Sequence, residues 1–185
     1  LSSTQVASLT SDQIGTLQSD DVRAISSAGL RAWSTDQLAA LSETNMGALT
    51  TAQVASLTTA QVSSLVTDDL NALGTAQFAA LTTAQVTSLT GAQVGGLVSD
   101  DLRAMTTAQF GAMSSVQIGG LTADQIPNLE SADLRAINTA ALRTMTSDQL
   151  DALTGTQMAQ LTTGQVAALT TAQLSRLETD DLAAL

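Results

Sequence analysis

The 185-residue sequence contains no cysteine, histidine, lysine or tyrosine, and its single proline is Pro127. Without histidine or cysteine it has no ordinary zinc or haem ligand set, no disulfide framework, and no Ser–His or Cys–His nucleophile pair. The sequence therefore predicts that the protein is not an enzyme. It also predicts no catalytic, cofactor-binding or metal-binding residue.

Charge is scarce and mostly of one sign: six arginines stand against 17 acidic residues, which gives a formal net charge of −11. An acidic surface repels phosphate backbones, so we expect no nucleic-acid partner. No apolar run approaches the roughly 20 residues that span a bilayer, and the first residues do not resemble a signal peptide. We therefore expect no membrane insertion.

What the sequence does contain is a short repeat. From Leu1 it divides into 23 consecutive octads and a final Leu185, without insertion or deletion, with the consensus L-T-T-A-Q-V-A-A. Positions one and six are apolar in every octad, and position five is Gln in 15 octads and Asp in five. A fixed short period is typical of repeat architectures. We interpret residues 1–185 as a single continuous octad array.

A longer period is superimposed on the octads. Displacing the sequence by 14 octads aligns residues 1–73 with 113–185 at 43 identical positions, which indicates that a unit of this length has been duplicated. Free solenoids usually carry polar capping repeats, and neither end of this array has one. We infer that the array belongs to a much longer protein.

The octad excludes a continuous helix and a continuous strand. Eight residues of α-helix turn through about 800°, so the apolar pair would rotate from one octad to the next. In an uninterrupted strand, positions one and six would point to opposite faces. A short helix fits better, with Thr50 as N-cap and Gln53 as its partner in a capping box, and with Leu49 and Val54 as the hydrophobic staple.

Five octads carry acids in place of this pattern, and they begin at Leu17, Leu65, Leu97, Leu129 and Leu177. There we expect the N-cap to move one residue, to Thr67, Ser99 or Thr179. The acid pairs Asp68 and Asp69, Asp100 and Asp101, and Asp180 and Asp181 then fall in the first helical turn, where acids suit the helix dipole. Arginines at position seven, including Arg23 and Arg103, fall at the opposite end of the helix.

The fold class predicted from these features is all-α: a solenoid or superhelix of very short helices, one per octad. Such short helices require packing against neighbouring octads. Because all five acid octads are odd-numbered, we favour two octads per coil. The alternative is a β-solenoid, since Thr, Val and Ile favour strands and Gln at position five could stack into amide ladders.

The remaining candidate sites have structural interpretations. The Asp pairs lack the other oxygen ligands of known calcium loops, so we interpret them as helix-start acids, while weak calcium bridging between chains stays open. Gly95–Gly96 and Gly119–Gly120 lie at octad ends without a following Lys-Ser or Lys-Thr, which favours helix termination or close backbone packing over a phosphate loop. Trp33, Phe78 and Phe110 occupy core positions. Pro127 falls where a helix ends and should not interrupt the array.

The run LTTAQVASLTTAQVSSL, repeated with variation along the chain, resembles the LTTAQ-type octad repeats of very large bacterial surface or secreted proteins of adhesin-like character. The resemblance implies an extracellular or cell-surface structural role and transfers no catalytic or binding residue. We therefore expect a stalk, spacer, surface layer or self-assembling filament subunit, with self-association through repeat ends or faces. The alternative is a solenoid that presents a concave face to a peptide or glycan.

Overall fold

The computed structural model describes residues 2–185, and all regular secondary structure in that range is helical. Each octad contributes one α-helix of four to six residues, except octad 16, which contains a 3-10 turn. The predicted all-α architecture of very short helices is confirmed. No β-strand occurs within residues 2–185, so the β-solenoid alternative is wrong.

The α-helices are α1 (Ser3–Ala7), α2 (Ser11–Gly15), α3 (Ser19–Ala24), α4 (Ser27–Arg31), α5 (Thr35–Leu38), α6 (Glu43–Gly47), α7 (Thr51–Ser56), α8 (Thr59–Ser64), α9 (Thr67–Asn71), α10 (Thr75–Ala80), α11 (Thr83–Ser88), α12 (Gly91–Gly96), α13 (Ser99–Ala104), α14 (Thr107–Ala112), α15 (Ser115–Gly119), α16 (Ser131–Ala136), α17 (Thr139–Leu142), α18 (Ser147–Asp151), α19 (Gly155–Met158), α20 (Thr163–Ala168), α21 (Thr171–Leu174) and α22 (Thr179–Ala184). The 3-10 turn Ile126–Asn128 lies between α15 and α16.

Helix α7 shows why the octad starts a helix where it does. Thr50 is the N-cap, its hydroxyl accepts from the backbone N–H of Gln53, and the side chain of Gln53 accepts from the backbone N–H of Thr50. Leu49 and Val54, on either side of this capping box, are both buried. Capping box and staple stand as predicted, and together they fix the direction in which the chain enters each helix.

The chain divides into two compact units, Leu1–Leu89 and Thr90–Leu185. In the first unit, α1 packs against α4, α4 against α7, and α7 against α10. In the second unit, α12 packs against α15 and α15 against α17, and these helices belong to octads 12, 15 and 18. Packed helices are thus three octads apart in both units. A coil contains three octads, and the predicted coil of two octads is wrong.

The core of each unit is formed by positions one and six of the octads. Trp33, Phe78 and Phe110 belong to it with exposed fractions of at most 4%, as predicted for core variants. The indole Nε1 of Trp33 donates to the carbonyl oxygen of Val6 at 2.9 Å. Because every octad supplies only two large apolar side chains, the core is thin, and burial depends on the coils before and after.

Octad 16 differs from its neighbours because of Pro127. Proline has no backbone N–H and therefore cannot donate the hydrogen bond that would continue an α-helix. The segment Ile126–Asn128 forms a 3-10 turn instead. Ile126 and Leu129 remain buried, so the core continues through this octad. The prediction that Pro127 leaves the array intact holds for the core, but the octad loses its α-helix.

Small residues at octad ends allow the backbones of successive coils to approach closely. A β-carbon on Gly95 would lie 2.5 Å from the carbonyl oxygen of Gly120, and one on Gly47 would lie 2.6 Å from that of Ala72. Real β-carbons do not come this close to an oxygen. Gly95 and Gly120, whose β-carbons would collide with the backbone of a neighbouring coil, therefore serve close packing between coils, one of the two interpretations that their positions predicted. A β-carbon on Gly119 would lie within 4 Å of no group of residues 2–185 outside its own helix, so close packing does not explain that glycine.

Candidate functional site

The most distinctive chemical group of the fold is the glutamine at position five of the octad. In α8 the Oε1 of Gln61 accepts from the backbone N–H of Thr58 at 2.8 Å, while the N–H of Gln61 donates to the Thr58 hydroxyl at 3.1 Å. This capping box uses only one end of the amide. It also fixes the orientation of the other end, the Nε2.

The Nε2 of Gln61 points into the preceding coil. It donates to the carbonyl oxygens of Leu30 at 2.8 Å and Trp33 at 3.0 Å, which lie 31 and 28 residues earlier. At least ten glutamines bond to the carbonyl 28 residues earlier and to a second one 30 or 31 residues earlier, and we call these ten the clamp glutamines. They are Gln37, Gln53, Gln61, Gln77, Gln85, Gln125, Gln149, Gln157, Gln165 and Gln173.

The clamp glutamines join consecutive coils through their backbones. Nine of them are buried, and Gln37 is half-buried. Buried backbone carbonyls need a donor, and an unsatisfied one costs about 1–3 kcal/mol. The sequence predicted the capping half of this arrangement but not the clamp. The signal for the clamp is that position five carries an amide. Glutamate would serve the capping box equally well, so the choice of glutamine indicates that its N–H donor is used elsewhere.

In the acid octads an aspartate takes the place of the clamp glutamine. Asp69, Asp101 and Asp133 are buried, with exposed fractions of 8%, 4% and 3%. Asp21, in the first coil, is exposed and accepts from the backbone N–H of Gln18 at 3.2 Å. The acids do lie in the first helical turn, as predicted.

Burial raises the pKa values of the three buried carboxyl groups. Desolvation raises the pKa of Asp101 to about 6, with a smaller contribution from the neighbouring charge of Asp100. No group of residues 2–185 forms a hydrogen bond with the Asp101 Oδ2. Desolvation also raises the pKa of Asp69, to which the charge of Glu43 adds. In Asp133 desolvation is again the main cause of a raised pKa, and a hydrogen bond from Thr107 acts against it.

The predicted N-cap shift in the acid octads does not occur. The helices α9 and α13 have Val66 and Val98 as N-caps, and α22 has Glu178, all at position two of the octad. A valine side chain cannot accept a hydrogen bond, so α9 and α13 begin without a side-chain cap. The carboxylate of Glu178 could accept one, but it does not cap α22. The shift fails because the staple and the packing between coils fix where the helix begins. The residues Thr67, Ser99 and Thr179 are the first helical residues instead.

One octad replaces the glutamine with asparagine. The Nδ2 of Asn45 donates to the carbonyl oxygen of Leu17 at 2.7 Å, again 28 residues earlier. Its Oδ1 accepts from the hydroxyl of Ser19 at 2.9 Å. A side chain one methylene shorter than glutamine therefore reaches the same carbonyl of the preceding coil.

The acid pairs do not gather into a metal centre. Within residues 2–185 no group of three or more His, Cys, Asp or Glu side chains is placed to hold a metal ion. In two of the pairs the carboxyls lie in different environments, since Asp68 and Asp100 are exposed whereas Asp69 and Asp101 are buried. Calcium bridging between chains through the exposed members stays a prediction.

A depression of about 350 Å³ on the surface of the first unit is lined by Val6, Leu9, Leu17, Asp21, Ala24 and Ile25. The position-one residues Leu9, Leu17 and Ile25 are half-buried, whereas Trp33 and the later position-one residues are buried.

No helix within residues 2–185 is long and apolar enough to cross a membrane.

Comparison with known protein families gives one result. The model of the ALTTAQ repeat matches residues 14–51, 64–99, 96–129 and 126–163. A search of curated proteins found no match. The matched segments cover well over half of the sequence and contain most of the clamp glutamines. The chain belongs to the ALTTAQ repeat family.

Proposed function

We propose that this chain is a structural repeat module of a large extracellular protein, in which it acts as a stalk, spacer, surface layer or filament subunit. The observation that carries the proposal is the glutamine clamp. The most frequent polar side chain of the interior uses its acceptor to start a helix and its donor to bind the preceding coil, as in Gln61. The glutamine that recurs at position five thus joins each coil to the one before it.

The outer surface supports the same proposal. The large hydrophobic side chains exposed within residues 2–185 are few and scattered: Val66, Val98, Val116, Leu182 and Leu185. Recognition surfaces are usually enriched in exposed aromatic residues and arginine. The six arginines here are exposed, but all three aromatic residues are buried, so the surface lacks the aromatic component of such a site. These features favour a structural role over a concave peptide- or glycan-binding face.

Two measurements test this proposal. Antibodies against the chain should label intact, unpermeabilised cells of its source, because an extracellular module is accessible from outside. Labelling only after permeabilisation would contradict the extracellular role. Peptide and glycan arrays should give no saturable binding to the purified chain, whereas one ligand class bound at micromolar concentration would favour the binding module.

We further propose that copies associate through repeat ends or faces, and that the apolar face containing Leu9, Leu17 and Ile25 is the contact surface. Support comes from these three half-buried position-one residues, which together line a surface depression. Sedimentation velocity should show concentration-dependent association that Leu17→Asp abolishes. The exposed Ala39→Asp adds the same charge and should leave association unchanged. Monomers at all concentrations, or equal effects of the two variants, would refute this mode of association.

A further inference from the structure

Asn45 shows what a short side chain does at position five. Its Oδ1 accepts from the Ser19 hydroxyl, 26 residues earlier, and its Nδ2 donates to the Leu17 carbonyl, 28 residues earlier. One side of the amide is thus an acceptor toward a hydroxyl, and the other side is a donor toward the backbone of the preceding coil.

Asp133 has the same shape as Asn45 and repeats half of this arrangement. Its Oδ1 accepts from the Thr107 hydroxyl at 2.9 Å, again 26 residues earlier. By the register that pairs Asn45 with the Leu17 carbonyl, the corresponding carbonyl for Asp133 is that of Met105. A carboxylate has no proton to donate there, whereas a protonated carboxyl has one O–H donor.

We propose that Asp133 and Asp69, which stand in the place of the clamp glutamine, are protonation-dependent clamps that bind the backbone of the preceding coil when protonated and release it when ionised. In Asp133 the protonated Oδ2 donates to the Met105 carbonyl, as Nδ2 of Asn45 does to Leu17. Asp69 stands in the same relation to the Leu41 carbonyl. The device goes beyond a structural role, because it makes the cohesion of neighbouring coils depend on pH.

The charged surroundings of the two aspartates agree with protonation in the folded chain. Asp133 lies on α16, which packs against α14, a helix without titratable groups, and its own segment carries Glu130 and Arg135. Burial is the main cause of its raised pKa, and Glu130 adds to it.

Asp69 lies on α9, which packs against α6, and Glu43 is the titratable residue of that helix. Glu43 occupies the position that Thr107 and Ser19 have in the other two cases. A second carboxylate replaces the hydroxyl donor, and Asp68 adds a further negative charge on the same helix. Burial and both charges raise the pKa of Asp69, and a hydrogen bond from the backbone of Val66 acts against them without reversing the direction. The pKa is therefore raised in both aspartates.

The test exchanges the acid and the amide in both directions. Asp133→Asn supplies a permanent donor, so the thermal unfolding midpoint at pH 7.5 should rise by about 2–4 °C, as for one additional hydrogen bond. Asn45→Asp should lower the midpoint at pH 7.5 and recover it on acidification to pH 4.5. The carboxyl of that variant would face Ser19 and the α3 charges Asp20, Asp21 and Arg23, with Glu43 on its own helix.

Asp148→Asn is the matched control, because Asp148 is an exposed first-turn acid and its removal changes the net charge by the same amount. The proposal is wrong if Asp133→Asn and Asp148→Asn shift the pH profile equally. It is also wrong if Asn45→Asp does not recover at acid pH. A ¹³C NMR titration of the unaltered chain gives an independent readout, since the Asp133 carboxyl should titrate above an exposed aspartate; a normal midpoint would overturn the proposal.

Discussion

The side-chain Nε2 of Gln85 donates to the carbonyl oxygens of Val54 and Leu57, both at 2.8 Å, across a sequence distance of 31 and 28 residues. The same amide accepts from the backbone N–H of Thr82 at 2.7 Å. One neutral side chain thus begins its own helix and binds the coil before it. The bond to Thr82 lies within one octad, and the bonds to Val54 and Leu57 span the three octads of a coil.

The clamp predicts a large difference between two chemically identical substitutions. Gln61→Glu keeps the acceptor of the capping box but removes the Nε2 donor and buries a charge, so it should cost about 2–5 kcal/mol of unfolding free energy. Gln13 is exposed and forms the capping box in the first coil. Gln13→Glu should cost less than about 0.5 kcal/mol in urea unfolding. Equal losses would contradict the clamp.

The uncapped helix α9 offers a stabilising substitution. Val66 is its N-cap, is 61% exposed and cannot accept a hydrogen bond from the helix. Val66→Thr should therefore raise the unfolding free energy by about 0.5–1 kcal/mol. Val116 is 73% exposed but lies inside α15, so Val116→Thr should give no gain. An equal rise in unfolding free energy for Val116→Thr would show that both variants are stabilised by the loss of exposed apolar surface, and not by a new N-cap.

The buried Asp101 predicts an unusual dependence of stability on pH. Its folded pKa of about 6 lies above the ordinary value of 3.8, so the folded state binds the proton more tightly than the unfolded state. This contribution is complete below about pH 4 and is lost as pH rises through about 6. On the order of 1–3 kcal/mol should be lost between these limits.

Asp101→Asn should remove that part of the pH profile, as followed by circular dichroism during thermal unfolding between pH 4 and pH 8. Asp36 is an exposed first-turn acid, and Asp36→Asn changes the net charge equally without changing the interior. An unchanged slope for Asp101→Asn, or the same change in both variants, would show that overall charge repulsion governs the profile.

The local structure of the octad could be predicted because it depends on residues at most five positions apart. The capping box of Thr50 and Gln53 and the staple of Leu49 and Val54 are such short-range patterns, and they fixed the helix direction. The number of octads per coil could not be predicted this way. It depends on the angles between successive helices, which the residue period does not encode.

The clamp itself left a signal in the sequence. Position five is Gln in 15 octads and never Glu, although the chain is acidic and a capping box accepts either residue. An amide donor is required only if something outside the box accepts from it. The prediction that Thr67 caps α9 was wrong because it considered local preference alone. Threonine is a favourable N-cap residue, but packing against the neighbouring coils fixes the start of α9 at Val66.

Disulfide formation can distinguish a coil of three octads from a coil of two, because the chain contains no cysteine of its own. A β-carbon on Gly111 would lie 3.8 Å from the β-carbon of Ala136, which matches the usual separation of about 3.8 Å in disulfides. Gly111→Cys with Ala136→Cys should therefore oxidise to an intramolecular disulfide, detected by mass spectrometry. A coil of two octads would instead bring Asn128 to this place. A disulfide in Gly111→Cys with Asn128→Cys, and none in the first pair, would show that a coil contains two octads.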